Sequence, residues 1–282
     1  MANQIVGLDH AVIAVRDLDQ AAEVFRRLGF TLTPRGHHAE WGTANHCAMF
    51  GQDYVELLSP EGDGAEAEAV RAFLEQREGL MGLALRTNDG AASGESLRRA
   101  GLDVPVPRSL SRRLDAPDEP VLMFSETPLP ADATPGVPTR MIQHLTAQRD
   151  RHPEWLQHVN GAFGIAAVTA VVDDPVSLTP AWDRVFGPHS AVVTDETVTV
   201  HTGRGLIFLT RPEDLTQLHP DAELDEQPPP PALVVLALQV ADTRKAAEIL
   251  HAGGVEFGRD SDGTIRIPPS QACGVTIEMA GA

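Results

Sequence analysis

The chain has 282 residues, 42% of them hydrophobic and 22% charged, a balance that suits a globular protein and excludes global disorder. Its 22 basic and 40 acidic residues give a net charge of −18, spread along the chain, a field that repels nucleic-acid phosphates and anionic membrane surfaces. The two cysteines, Cys47 and Cys273, stand far apart and outside any CxxC pattern, so neither a disulfide framework nor a zinc ribbon is expected.

From the start, Met1 to Ile5 lacks the basic stretch and apolar core of a secretion signal. The longest apolar runs, 165–172 and 233–240, fall far short of the roughly 20 residues that span a bilayer. The expectation is a soluble, cytoplasmic protein, monomer or homodimer, with a small-molecule substrate and no nucleic-acid or membrane partner.

One pattern then recurs four times along the chain: an apolar strand, an Asp at a turn, a helix, and a glycine where the helix stops. The first copy is Leu8-Asp9-His10-Ala11-Val12-Ile13-Ala14-Val15-Arg16-Asp17, with a helix to Leu28 and then Gly29. The second runs from Leu83 through Asp89 to Gly101, the third from Ile165 through Asp174 to Gly187, and the fourth from Leu233 through Asp242 to Gly253. The steps 17→29, 89→101, 174→187 and 242→253 are 12, 12, 13 and 11 residues. Asp caps a helix start by accepting its orphan N–H groups, and glycine suits the left-handed turn past a helix end. Ala21, Ala22, Phe25 and Leu28 fall at helical spacing and predict one buried stripe.

After each helix the text turns to strand pattern. In the first copy Phe30-Thr31-Leu32-Thr33 alternates, Cys47-Ala48-Met49-Phe50 is apolar, and a turn at Gly51-Gln52-Asp53 leads into Tyr54-Val55-Glu56-Leu57-Leu58. In the fourth, 258–267 reads as a hairpin and Gly274 to Met279 as the closing strand. Each unit is therefore β-α-β-β-β. Polar stretches separate or interrupt the units: 61–68 is acidic and opens a helix, Asp115 to Pro138 is a Pro-rich expansion, and Pro212 to Pro231 is a stiff, solvated joiner. A boundary between 153 and 161 divides the chain into domains 1–152 and 153–282, two units each.

The opening Gly7-Leu8-Asp9-His10-Ala11-Val12-Ile13-Ala14-Val15 resembles the first strand of the vicinal-oxygen-chelate (VOC) superfamily. Gly42-Thr43-Ala44-Asn45, Tyr54-Val55-Glu56-Leu57-Leu58, Met141-Ile142-Gln143-His144 and His158-Val159-Asn160-Gly161-Ala162 resemble its glyoxalase-like branch. The resemblance implies an α+β fold of four βαβββ modules forming two glyoxalase/bleomycin-resistance/dihydroxybiphenyl-dioxygenase-like half-barrels. It further implies a cupped site between paired modules. In metal-using members a divalent ion is held there by the first and last strands, whereas other members bind a drug without metal. Fold alone does not settle activity.

Measured from each Asp, the position of His10 corresponds to Gly82, Ala167 and Val235 in the later copies. Lining Val55 up with Ile142, Ile207 and Ile277 sets Glu56 against Gln143, Phe208 and Glu278. If copies one and two share a cup, the cluster is His10, Glu56 and Gln143, with His144 brought inward by a bulge. If copies one and four pair, it is His10, Glu56 and Glu278. Either set suits Fe, Mn, Ni or Zn with open positions, and neither completes a four-ligand glyoxalase set.

Glu56 is expected in a strand buried on both faces, where an unpaired carboxylate costs several kcal/mol and needs a cation, a donor or a proton. The leading expectation is a divalent-metal-dependent lyase, isomerase or dioxygenase acting on a small oxygenated metabolite. His10, Glu56 and His144 would hold the metal, Glu56 would act as base, and Asn45 and His46 would touch substrate. The plainer alternative pairs His10 with Glu56 as a residual polar couple. A metal-free drug- or natural-product-binding protein is the rival function, and a degenerate regulator a third. His37-His38 are read as loop, His158 and Asn160 as satisfying backbone groups between the halves, Trp155 and Trp182 as packing, and Cys47 as an inert core thiol. No phosphate loop, nucleophile elbow or Rossmann context occurs.

Overall fold

The computed structural model describes residues 4–118, 120–147, 151–220 and 228–281. Residues 1–3, where no secretion signal was expected, and 221–227 of the expected joiner lie outside the described residues. The first βαβββ unit is β1 (Ile5–Ala14), α1 (Leu18–Arg27), β2 (Gly36–His38), β3 (Thr43–Met49) and β4 (Tyr54–Pro60). An inserted helix, α2 (Ala65–Gln76), leads to β5 (Gly79–Thr87), α3 (Gly90–Arg99), β6 (Arg108–Leu114), β7 (Val121–Pro128) and β8 (Thr139–His144). The third unit is β9 (Ala162–Val171), α4 (Thr179–Phe186), β10 (Ala191–Thr194), β11 (Thr197–His201) and β12 (Leu206–Thr210). A short helix, α5 (Leu215–Leu218), precedes β13 (Ala232–Val240), α6 (Thr243–Ala252), β14 (Gly258–Arg259), β15 (Ile265–Ile267) and β16 (Thr276–Gly281).

The helix boundaries follow local chemistry. Asp17, Asp89 and Asp242 accept the first-turn N–H groups of Gln20, Ala92 and Arg244. In the third unit Asp174 precedes a 3-10 turn, Val176–Leu178, and α4 begins only at Thr179. In the fourth, the residue that turns left-handed is Gly254 (φ 67°), so that step becomes 242→254, or 12 residues. Two readings change. The alternating 30–33 segment is irregular and gives one bond to β3, from Thr33 N to Cys47 O. The strand instead begins at Gly36 and takes in His37 and His38, which were expected in a loop. The Pro-rich 115–138 stretch also contributes a full strand, β7.

In the first two units β1 lies antiparallel to β5, β4 runs parallel to β1, and β8 runs parallel to β5. Pairing of β2 with β6, at Gly36–Leu114 and His37–Arg113, closes these eight strands into a barrel. Closure needs a glycine at 36, because a Cβ there would collide with the Asn45 side chain and with Arg112. Units one and two therefore share a cup, and the one-with-four pairing is set aside. The last two units form an open eight-stranded sheet whose ends are β10 and β14. In that sheet Glu278 accepts from Arg266 Nε at 2.7 Å and lies 2.9 Å from His219 just past α5, so its charge is met within the second half.

A large core cluster runs through both halves, from Phe25 and Leu85 to Trp182 and Leu236. Polar links join them as well. Asn160 Nδ2 donates to Leu28 O, and its carbonyl accepts from Ala162 N. His158 accepts from Thr31 N and donates to Met49 O at 2.9 Å. Asp53 Oδ1 accepts from Ile165 N across the same boundary. Among the described residues no helix is long and apolar enough to cross a membrane.

Asp53 makes the junction pH-sensitive. Burial pushes its pKa from 3.8 up to about 6, against the opposing Ile165 hydrogen bond. A raised folded-state pKa adds stability that is complete below the unfolded value and is lost as pH rises through about 6. Asp53→Asn keeps the acceptor and removes the charge. Its denaturation midpoint, relative to wild type, should therefore climb between pH 4 and pH 7.5, by up to roughly 3 kcal/mol in stability. Parallel pH curves for the two proteins would contradict this.

Candidate active site

The barrel interior is set by strand alternation and by one bulge. On β4 the residues Tyr54, Glu56 and Leu58 face inward; on β8 Arg140 and Ile142 do. Opposite β5, Leu8 pairs with Leu85 and His10 with Ala84, leaving Asp9 as the extra residue of a bulge. The bulge lets neighbouring Asp9 and His10 meet: His10 Nδ1 donates to Asp9 Oδ1 at 2.8 Å. Asp9 also accepts from Arg86 Nε at 2.8 Å and from His144 Nε2 at 2.9 Å. Burial alone would raise the Asp9 pKa, but His144 and His10 outweigh it and hold the carboxyl well below its ordinary value.

The other edge of His10 faces Glu56, with Nε2 3.4 Å from Oε2. The His10 ring stacks on Tyr54, centroids 4.3 Å apart. Glu56 also accepts from Asn45 Nδ2 on β3. Burial opposes ionisation of Glu56, yet His10 and the Asn45 bond prevail and keep its pKa below the glutamate value. Glu56 is thus a buried, ionised carboxylate. His38 joins the same pocket, where burial pushes its pKa down to about 4, so it is neutral at physiological pH. Arg112 and Arg140 supply positive charge, and Leu58, Leu110, Phe124 and Ile142 supply apolar walls. The free space beside these groups is about 20 Å³, room for about one water. Asn45 Oδ1 is buried there without a partner.

Each candidate residue now has a place. Asn45 points inward onto Glu56, but His46, one step along β3, points to the opposite face and lies 2.8 Å from Thr33 O. Neighbours on a regular, unbulged strand face opposite sides, so the structure does not bring the expected substrate pair together. Gln143 faces outward and accepts from Gly90 N at the start of α3. The matching of Glu56 with Gln143 was therefore one residue out of step, which exchanges the two faces. His144 does face inward, without a bulge in β8, because simple alternation carries it there. It is bonded to Asp9, not gathered with Glu56. Asp9, Arg86, Arg112 and Arg140 were missed. Asp9 was hidden because a bulge reverses alternation, and Arg112 because its strand, β6, carries no apolar signature.

A divalent ion does not suit this donor set. The 3.4 Å between His10 Nε2 and Glu56 Oε2 matches two adjacent ligands. Beyond them, no three His, Cys, Asp or Glu side chains among the described residues converge as a metal group. The barrel positions facing them from the second unit are Ala84, Ile142 and Arg140, and a guanidinium repels a dication. Cys47 offers nothing either. Burial pushes its thiol up to about 12, and Arg112 Nη1 lies 3.1 Å from its sulfur. Fully buried Cys47 should not react with a thiol reagent at pH 8 until denaturant is added. Rapid native labelling of Cys47 would show that the barrel wall opens.

A family model described as a glyoxalase-like domain matches residues 8–186, and the chain belongs to that family, within the VOC superfamily. A hypothetical protein from Staphylococcus aureus superposes with TM-score 0.68 at 14% identity, covering 98% of this chain and 99% of its own. A xylose isomerase-like TIM barrel/4-hydroxyphenylpyruvate dioxygenase fusion protein superposes with TM-score 0.59 at 13% identity, over 100% of this chain and 49% of its own. Methylmalonyl-CoA epimerase from Mycobacterium tuberculosis reaches TM-score 0.42 at 24% identity, over 53% of this chain and 95% of its own. No curated protein matches.

Proposed function

We propose that the barrel of residues 5–144 is the site of an acid–base enzyme of the isomerase or lyase type, acting on a small oxygenated metabolite. The observation that carries this reading is the ordered series Glu56, His10, Asp9. A buried, ionised carboxylate faces one nitrogen of an imidazole whose other nitrogen is fixed by a second carboxylate. Glu56 takes a proton from a carbon next to a carbonyl, and the electron pair stays on the substrate as an enolate. His10, 3.4 Å from Glu56, is within reach to exchange that proton with it and to help return it to the substrate. Arg112 and Arg140 stabilise the developing negative charge. The donor set around Glu56 does not suit an Fe, Mn, Ni or Zn ion, so no step passes through one and the dioxygenase expectation is not carried forward.

In this reading residues 1–152 are the site-bearing domain and 153–282 a degenerate structural partner. That division is supported by His219 and Arg266, which fill the second sheet around Glu278. The four units would be copies of one ancestral βαβββ segment. The test is proton–deuterium exchange, followed by NMR, of small 2-oxo and 2-hydroxy acids and their amides in D2O. Exchange above the uncatalysed rate that is lost in Glu56→Gln supports the enzyme. Ligand binding without exchange, unchanged in Glu56→Gln, would favour the metal-free binding protein, a reading that the apolar walls of the pocket also suit.

A further inference from the structure

Arg140 lines two adjoining spaces. One is the nook of about 20 Å³ that holds His10 and Glu56. The other is a chamber of about 110 Å³ bounded by Glu66, Arg108, Glu126 and Arg140 itself. Strand register explains why the two are close. Arg140 pairs with Ala84, and Ala84 with His10, so all three lie in one row across β8, β5 and β1. Ala84, with Gly82 beside it opposite Val12, places only small residues between guanidinium and imidazole.

The guanidinium is already paired. Its Nη2 donates to Glu66 Oε1 at 2.6 Å, and it lies over the Trp41 ring, 4.8 Å from the centroid. Glu66 belongs to α2, the helix inserted between the first two units and absent from the βαβββ pattern. It takes one N–H of the fork, whereas a free carboxylate can take two side by side. The chamber also contains an unmet acceptor. Glu126 is fully buried and gives one oxygen to Arg108, while its Oε1 has no partner. A buried carboxylate oxygen in that state lacks a donor, and a ligand hydroxyl would supply one.

We propose that Arg140 is the anchor for the carboxylate of a small 2-hydroxycarboxylate substrate, and that Glu66 is a resident carboxylate which this ligand displaces. The hydroxyl then meets Glu126 Oε1, and the carbon between the two groups is presented towards Glu56 and His10. The arginine takes over the charge-stabilising role for which the donor set holds no metal. The inference rests on the acid–base reading of Glu56 and names the substrate class for that site.

The experiment titrates lactate and mandelate, beside lactamide and mandelamide, into wild type and Glu66→Gln, reading tryptophan fluorescence. Trp41→Phe identifies the reporting ring. The acids should bind Glu66→Gln about tenfold or more tightly than wild type, because the internal competitor is gone. The amides should bind weakly to both. Adding Arg140→Met to Glu66→Gln should abolish acid binding, while Arg140→Lys should retain part of it and so separate lost recognition from lost folding. Equal affinities in wild type and Glu66→Gln, or amides binding as well as acids, would overturn the proposal. Acids that bind as expected but undergo no exchange would leave the anchor standing and remove the acid–base reading. Exchange that persists with acids and amides alike would do the reverse.

Discussion

Glu56→Gln should lower the exchange rate by about 10²–10⁴-fold, the range typical of losing a positioned general base. The substitution preserves size and an oxygen that accepts from Asn45, so ligand affinity should change far less than turnover. That split distinguishes a base from a residual polar couple, whose removal would leave turnover untouched. The pH–rate profile adds a second check. Despite burial, His10 and Asn45 keep the Glu56 pKa below its ordinary value, so the base stays ionised into acid. The acid limb of the profile should therefore lie below the usual glutamate range. An acid limb near neutral pH would assign the titrating base to another group.

Asp9→Asn should be the most destabilising single substitution at the site. Asp9 is fully buried and accepts from His10, His144 and Arg86 at once. Replacement leaves the mostly buried Arg86 charge without its carboxylate, at a cost of roughly 3–5 kcal/mol. The sign with pH is fixed by the direction of its shift. A depressed folded-state pKa gives stability that is present above the unfolded carboxylate value and is lost as pH falls through the folded one. Asp9→Asn should thus be much less stable than wild type at pH 7, and the gap should narrow in acid. Chemical denaturation at several pH values measures both. An equal deficit at every pH would mean that Asp9 contributes through packing alone.

Much of the architecture was legible in the residue pattern. Asp17, Asp89 and Asp242 cap their helices as read, and Gly29, Gly101 and Gly187 turn the chain just beyond. Those signals are short-range, so neighbours a few residues apart contain them. His10 and Glu56 were legible for a related reason. Polar side chains inside apolar strands stand out, and the structure brings them to 3.4 Å. What failed was register. The first inner strand was set at 30–33 although alternation there is not matched by pairing, and Gln143 was matched to Glu56 across a one-residue slip. The bulge at Asp9 could not be read, because an inserted residue is defined only against its partner strand.

Local composition by itself determined the order of strands and helices, their caps and turns, and the two polar residues buried in the first unit. Those follow from interactions within a few residues and from the solvation cost of a charge in an apolar run. Only the tertiary structure decided that the first two units close on each other through β2 and β6, that His46 and Gln143 face away, and that Arg140 lines the same pocket as His10 and Glu56. Each of these depends on strand register between residues far apart in the chain, and moving a strand by one residue turns every side chain on it to the other face.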